Sequence, residues 1–242
     1  MDWQAHRREA HALGRAQEYL KQITYGGNDG IVTTFAIVAG FAGASAEGVA
    51  QIGGLAVLVF GLANLFADGV SMGLGEFLST RSEHDMFHAR RVRELDELAT
   101  NPAQERRELT AILHQRGLNA PDAETVTDIL VRNPDMVADL MMTYEFGMSH
   151  PDDDSPAAKA LFTFLAFIVF GIVPLLPYFL LPADATAFRF SLVATGLSLV
   201  ALGLLRWHAT GERMARCVGE TLAVGATCSA VAFAVGWAVG GA

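Results

Sequence analysis

The feature that most constrains this chain is a set of five long apolar windows. They cover residues 29–46, 52–78, 160–181, 186–206 and 217–241. A helix needs about 20 mostly apolar residues to cross a bilayer. The third window, ALFTFLAFIVFGIVPLLPYFLL, contains no charged residue, whereas a helix on the surface of a soluble core is apolar on one face only. The sequence therefore predicts an all-α polytopic membrane protein with five transmembrane helices.

The distribution of Lys and Arg predicts the orientation, because basic residues concentrate in cytosolic connections. With the N-terminus in the cytosol, 16 of the 17 basic residues fall on the cytosolic side, and Arg189 is the exception. Five spans then place the C-terminus outside. Residues 1–22 lack the apolar core of a secretory signal, and we expect a cytosolic amphipathic segment there. Residues 23–79 would hold spans one and two, and residues 156–242 the last three.

A polar segment, residues 80–155, separates the second span from the third. It holds 16 acidic and 8 basic residues, and so carries nearly all of the chain's net charge of −9. This charge argues against nucleic acid as a partner, since phosphates would be repelled. The second span is predicted to continue as a helix to Asn101-Pro102, followed by helices within 103–117, 123–132 and 135–148. We expect a cytosolic acidic helical subdomain between helices two and three.

Two Glu-x-x-Glu pairs and a Met-Met-x-x-Glu sequence lie in this segment. Residues three apart share a helix face, where two carboxylates repel each other unless a cation lies between them. Carboxylate oxygens suit Fe²⁺ and Mn²⁺, and thioether sulfur favours softer metals. The alternative is a charged surface on which neighbouring arginines compensate the glutamates. The candidate metal ligands are Glu94, Glu97, Glu105, Glu108, Met141, Met142 and Glu145.

Within the second window, every fourth residue from 64 to 76 carries a group with a lone pair: Asn64, Asp68, Met72 and Glu76. A spacing of four places them on one slowly turning helix face. Carboxylates inside a membrane are costly and normally face a bundle interior or a water path. We therefore interpret these four residues, called the membrane ladder below, as candidate ligands along a cation path.

The first window offers a partner for the membrane ladder. Asp29 lies at its predicted cytosolic start, where the alternative is that Asn28 or Asp29 caps the helix. Facing carboxylates could replace part of the water shell of a divalent cation. They also suggest coupling to protons, because burial raises the pKa of a carboxyl group and a bound cation lowers it.

Taken together, these segments resemble the vacuolar iron transporter family of Fe²⁺/Mn²⁺ transporters. The resemblance rests on DGIVTTFAIVAGFAGA in span one, ADGVSMGLGEFLSTRSE in span two, and the two Glu-x-x-Glu pairs with MMTYE. It implies a homodimer with the ion path between the first two spans of the two protomers. It also implies a cytosolic domain that collects Fe²⁺, and proton-coupled export. Plant members carry a glutamate at the level of Asn64, and an acidic residue often stands where this chain has Met148.

On this resemblance Asp29, Met72 and the Asn64/Asp68 level match the pore ligands, and the glutamates and methionines of the acidic segment match the cytosolic metal site. The expected partners are divalent metal ions, protons and membrane lipid, with no resident cofactor. We expect a bacterial inner membrane location, with a vacuolar membrane as the alternative.

The two alternative functions are a membrane di-iron oxidase and a membrane-bound metal sensor. A membrane di-iron oxidase would use Glu-x-x-His motifs with further glutamates, and the acidic segment contains no Glu-x-x-His. A membrane-bound metal sensor would have no need of carboxylates inside spans one and two. The sequence therefore favours a transporter over an enzyme.

Overall fold

The computed structural model describes residues 15–45, 54–151, 155–181 and 185–240. Most of the predicted amphipathic segment, and parts of both predicted outer connections, lie outside the described residues. The chain divides into two compact units. One comprises residues 1–76 and 157–242, and the other residues 77–156.

Helices make up the first unit, which we call the membrane unit. After a single turn at Arg15–Glu18, α1 spans Leu20–Ser45 and α2 spans Gly54–Thr100, of which residues 54–76 belong here. The next helix, α6, spans Pro156–Gly171 and is followed by a 3-10 turn, Val173–Leu175, and by α7, Leu176–Leu180. Pro174 and Pro177 explain this interruption, since proline removes a backbone donor and clashes with the preceding turn. The last two helices are α8, Ala185–Thr210, and α9, Met214–Gly240.

The second unit contains the end of α2 and three shorter helices. These are α3, Pro102–Gln115, α4, Ala120–Leu130, and α5, Pro134–Tyr144. The predicted continuation of span two into the acidic segment is confirmed, because α2 is unbroken to Thr100. The three further helices are confirmed as well. Pro102 and Pro134 each stand at the first position of a helix, where their missing N–H breaks no hydrogen bond.

Glycines allow the helices of the membrane unit to approach closely. A Cβ on Gly30 would collide with the carbonyl oxygen of Phe167 in α6, and one on Gly236 would collide with that of Gly40. Small residues at contacts of this kind are typical of helices packed in lipid, where backbones come together without a hydrophobic driving force. α1 is accordingly held between α6 and α9.

Four helices of the described chain are long and apolar enough to cross a membrane: Gly54–Thr100, Pro156–Leu180, Thr186–Thr210 and Met214–Val239. Large apolar side chains cover much of their outer surface. Leu180 is 81% exposed and Leu55 is 76% exposed, which suits contact with lipid better than contact with water. α1 has 26 residues, enough to span, but it is not among the four because its first half is polar.

Candidate metal sites

The membrane ladder occupies its own stripe on α2. Gly61, Leu65, Gly69 and Gly73, also four apart, are buried and face side chains of the segment from Phe164 to Leu175. The ladder stripe is offset from this packing stripe by one residue, or about 100° around the helix. All four ladder side chains are half-buried. They therefore lie beside the packed face of α2 and away from its most exposed face.

Asp29 lies inside α1, because this helix begins at Leu20. The alternative that Asn28 or Asp29 caps the helix is therefore wrong, whereas the expectation that Asp29 marks the cytosolic end of span one stays a prediction. Its backbone oxygen accepts a hydrogen bond from Thr33 Oγ1 at 2.8 Å, as in a continuous helix. The charge of Asp68 acts on Asp29. Asp29 on α1 thus lies close enough to Asp68 on α2 for their charges to interact.

Each carboxylate of the membrane ladder accepts a hydrogen bond from a neutral amide. Asn64 Nδ2 donates to Asp68 Oδ2 at 2.7 Å, within α2. Gln22 Nε2 on α1 donates to Glu76 Oε1 at 2.8 Å. Gln22 is only 4% exposed. Sequence reasoning missed Gln22, although its position seven residues before Asp29 places both on one helix face.

An open apolar groove borders the ladder at Asn64. Its volume is about 950 Å³. Asn64 is the polar side chain of its lining, which α1, α2 and α9 provide. The lining residues are Ala36, Ile37, Gly40, Phe41, Phe60, Ala63, Asn64, Ala67, Ala232, Val235, Gly236 and Val239.

The second unit places the predicted ligands of the acidic segment around a small core, and we call this group the acidic cluster. Glu94 and Glu105 are 2% and 3% exposed, and Met141 and Met142 are fully buried. Glu108 is half-buried, whereas Glu97 and Glu145 are exposed. Leu109, Val137 and Met141 form the apolar core beneath them.

Two oxygens of the acidic cluster have no hydrogen-bond partner although they are buried: Glu94 Oε1 and Glu105 Oε2. Such groups are rare in proteins, because an unpaired buried oxygen loses its hydration without replacement. Burial, together with the hydrogen bond to Glu105 and its charge, raises the pKa of Glu94 to about 8. The pKa values of Glu105 and Glu145 are also raised, mainly by desolvation.

Two arginines near these glutamates, Arg91 and Arg106, bind other acids. Arg91 forms ion pairs with Asp139 at 2.6 Å and with Asp135 at 2.9 Å. Arg106 pairs with Asp128. These two arginines therefore do not act as counter-ions of the Glu-x-x-Glu pairs, contrary to expectation. The carboxylates of Glu94 and Glu105 interact chiefly with each other and with neighbouring acids.

The described residues contain no group of three or more His, Cys, Asp or Glu side chains arranged to hold a metal ion. The acidic cluster instead contains two buried carboxylates, and its other glutamates lie nearer the surface, while Met141 and Met142 are buried in the same unit. This donor set fits a borderline divalent metal if the outer glutamates turn inward.

The sequence was also compared with those of known proteins. A sequence profile described as "VIT family" matches residues 20–237. Vacuolar iron transporter 1 of Arabidopsis thaliana is 35% identical over 228 residues, covering 94% of this chain and 88% of the relative. Vacuolar iron transporter 1 of Oryza sativa subsp. japonica is 36% identical over 225 residues, covering 92% and 86%. The Vacuolar iron transporter of Toxoplasma gondii is 34% identical over 230 residues, covering 91% and 74%. On this evidence the chain belongs to the VIT family.

Proposed function

We propose that this protein exports Fe²⁺ from the cytosol in exchange for protons, with Mn²⁺ as a second cargo. The relatives above are named iron transporters, and none of those names describes an enzyme. The observation that carries the proposal is the membrane ladder, in which Asp68 and Glu76 are half-buried and each accepts a hydrogen bond from an amide, with Asp29 of α1 near enough for the charge of Asp68 to act on it. Carboxylates in such a position are expensive unless they serve a pathway.

The membrane ladder provides that pathway. Met72 lies one turn from Asp68 and one turn from Glu76, so a cation can move between oxygen and sulfur donors in steps of about 6 Å. Asp29 adds a facing carboxylate at the middle level. When a cation enters, it displaces protons from carboxyl groups that would otherwise be neutral in lipid. Proton entry from the opposite side would then release the metal.

The acidic cluster collects the metal on the cytosolic side. Its support is the pair of buried oxygens without partners, since a divalent cation would satisfy Glu94 Oε1 and Glu105 Oε2 together. Met141 and Met142 supply adjacent soft donors. Glu97, Glu108 and Glu145 would complete the site from the surface.

A five-span topology with the N-terminus inside supports the direction of transport. It requires α1 to cross the membrane, and its close packing with α6 and α9 supports this placement. A homodimer is supported by the open groove beside Asn64, which a second copy could cover. We propose the inner membrane of a bacterium as the location, with the N-terminus in the cytosol because 16 of the 17 basic residues then lie on that side.

The decisive experiment reconstitutes the purified protein in liposomes that contain a metal indicator and a pH dye. We expect Fe²⁺ or Mn²⁺ to enter while the lumen becomes more alkaline, as protons leave in exchange. Metal entry without proton movement would refute the coupling. An absence of metal flux for the wild-type protein would refute the transporter proposal as a whole.

A further inference from the structure

We propose that Gln22 is a positioning residue for the membrane ladder, holding the carboxylate of Glu76 ready for an incoming divalent cation. This inference rests on the proposed function, but it concerns a residue that neither the motifs nor the relatives' names single out. Its basis is the 2.8 Å hydrogen bond from Gln22 Nε2 to Glu76 Oε1.

The burial of Gln22 shows that this hydrogen bond is built into the packing. A glutamine side chain loses considerable rotamer freedom when it is buried, and at 4% exposure Gln22 cannot extend into solvent. A buried amide needs a partner, and Glu76 supplies one across the contact between α1 and α2. Glu76, which is half-buried, is thereby fixed in one orientation.

The register of the two helices places this contact in the pathway. Gln22 and Asp29 are seven residues apart on α1, about 10 Å along its axis. Glu76 and Asp68 are eight apart on α2, about 12 Å. Since Gln22 meets Glu76 and Asp29 interacts with Asp68, antiparallel helices place the two pairs at successive levels. The same hydrogen bond therefore also helps to hold Asp29 opposite Asp68.

The chemistry of the amide suits a site that must admit a cation. A lysine or arginine at residue 22 would neutralise Glu76 and compete with the metal. The neutral amide satisfies one carboxylate oxygen, leaves the net charge of Glu76 uncompensated, and can be displaced at modest cost. Asn64 stands in the same relation to Asp68.

The test measures Mn²⁺ flux into liposomes across a range of metal concentrations. For Gln22→Met, which keeps the length but loses the donor, we expect the half-saturating Mn²⁺ concentration to rise about tenfold. The maximal flux should stay within about twofold, because the deeper ligands are unchanged. Gln22→Lys should raise the half-saturating concentration further. Gln17→Met is the matched control, since the Gln17 amide is exposed and donates to the backbone oxygen of Ala209, and this variant should behave as wild type.

A double-mutant cycle with Glu76→Gln separates positioning from a general effect on folding. If Gln22 acts through Glu76, Gln22→Met should add nothing to the effect of Glu76→Gln. An equal penalty in both backgrounds would overturn the inference, and so would wild-type behaviour of Gln22→Met or Gln22→Lys. Either result could occur while wild-type flux remains intact, so the proposed transport function would survive it.

Discussion

The membrane ladder and the acidic cluster contain similar side chains, but the hydrogen bonding of their carboxylates differs. On α2, Asp68 and Glu76 each accept a hydrogen bond from an amide. In the second unit, Glu94 and Glu105 each bury an oxygen that has no partner. When a carboxylate already has an amide partner, a cation only replaces that partner, so the free energies of the cation-bound and amide-bound states are similar. A buried carboxylate oxygen without a partner gains far more when a cation arrives.

This difference matches two tasks in a transporter. A pathway must bind weakly enough to release its cargo, whereas a collecting site must bind strongly at low concentration. The surroundings differ in the same sense, because the ladder side chains are half-buried while Met141 and Met142 are fully enclosed. We therefore infer that transport and capture can be separated by mutation.

The largest expected effect follows the loss of a pathway carboxylate. Asp68→Ala should abolish Mn²⁺ flux in liposomes, because it removes the charge that faces Asp29. Metal binding by the acidic cluster, measured by calorimetry on the full chain, should be unchanged. Asp85→Ala is the control, as Asp85 is an exposed acid farther along the same helix. If Asp68→Ala transported normally, the membrane ladder would be structural.

The second prediction concerns the acidic cluster, whose loss should strongly reduce metal affinity but hardly change the maximal flux. Glu105→Ala combined with Glu108→Ala removes one buried and one half-buried carboxylate, so metal affinity should fall by about tenfold or more. Flux should slow at low Mn²⁺ and recover at saturating Mn²⁺. The paired control is Glu83→Ala with Asp85→Ala, which removes two exposed acids. Loss of flux at all concentrations would show that the two regions are not separable.

Local signals were sufficient to predict much of this arrangement. Asn-Pro steps mark the starts of α3 and α5, and the apolar windows correspond to the long helices. The spacing of four identified the membrane ladder without any tertiary information. These features depend on residues close together in sequence, where helix geometry fixes the relation between side chains.

Tertiary contacts explain what was not predicted. Asp29 was expected at the start of a helix, yet α1 begins at Leu20 and runs through Gly26 and Gly27. A Cβ on Gly26 would lie 2.5 Å from the carbonyl oxygen of Thr163, so glycine here permits helix packing. Similarly, Arg91 pairs with acids 44 and 48 residues away. No pattern of neighbouring residues could reveal either relation.

The third prediction concerns pH. Because the pKa of Glu94 is raised to about 8, this carboxyl binds a proton at neutral pH in the metal-free protein, and metal must displace it. Affinity should therefore rise by roughly tenfold per pH unit between pH 6 and 8 and then level off, if one proton is released. Calorimetry in buffers of different ionisation enthalpy would count the protons. Unchanged affinity across this range would contradict the raised pKa.

The smallest expected effect concerns folding stability. It tests whether the buried carboxyl of Glu94 lowers the free energy of unfolding of the second unit. A carboxyl group whose pKa is raised on folding contributes stability that is fully present below its unfolded value of 4.5 and is lost as pH rises from there through about 8. At pH 8, metal-free Glu94 is therefore destabilising. Glu94→Gln removes this cost while keeping the shape of the side chain. It should slow hydrogen exchange of α3 amides by about fivefold.

Glu97→Gln is the matched control, because Glu97 belongs to the same motif but is exposed, and it should leave exchange almost unchanged. At pH 4.5 the benefit of Glu94→Gln should disappear, since the wild-type carboxyl is then protonated. Metal should protect α3 in the wild type and much less in Glu94→Gln. Faster exchange in metal-free Glu94→Gln at pH 8 would mean that Glu94 stabilises this unit. The proposed difference in hydrogen bonding between the membrane ladder and the acidic cluster would then not hold for Glu94.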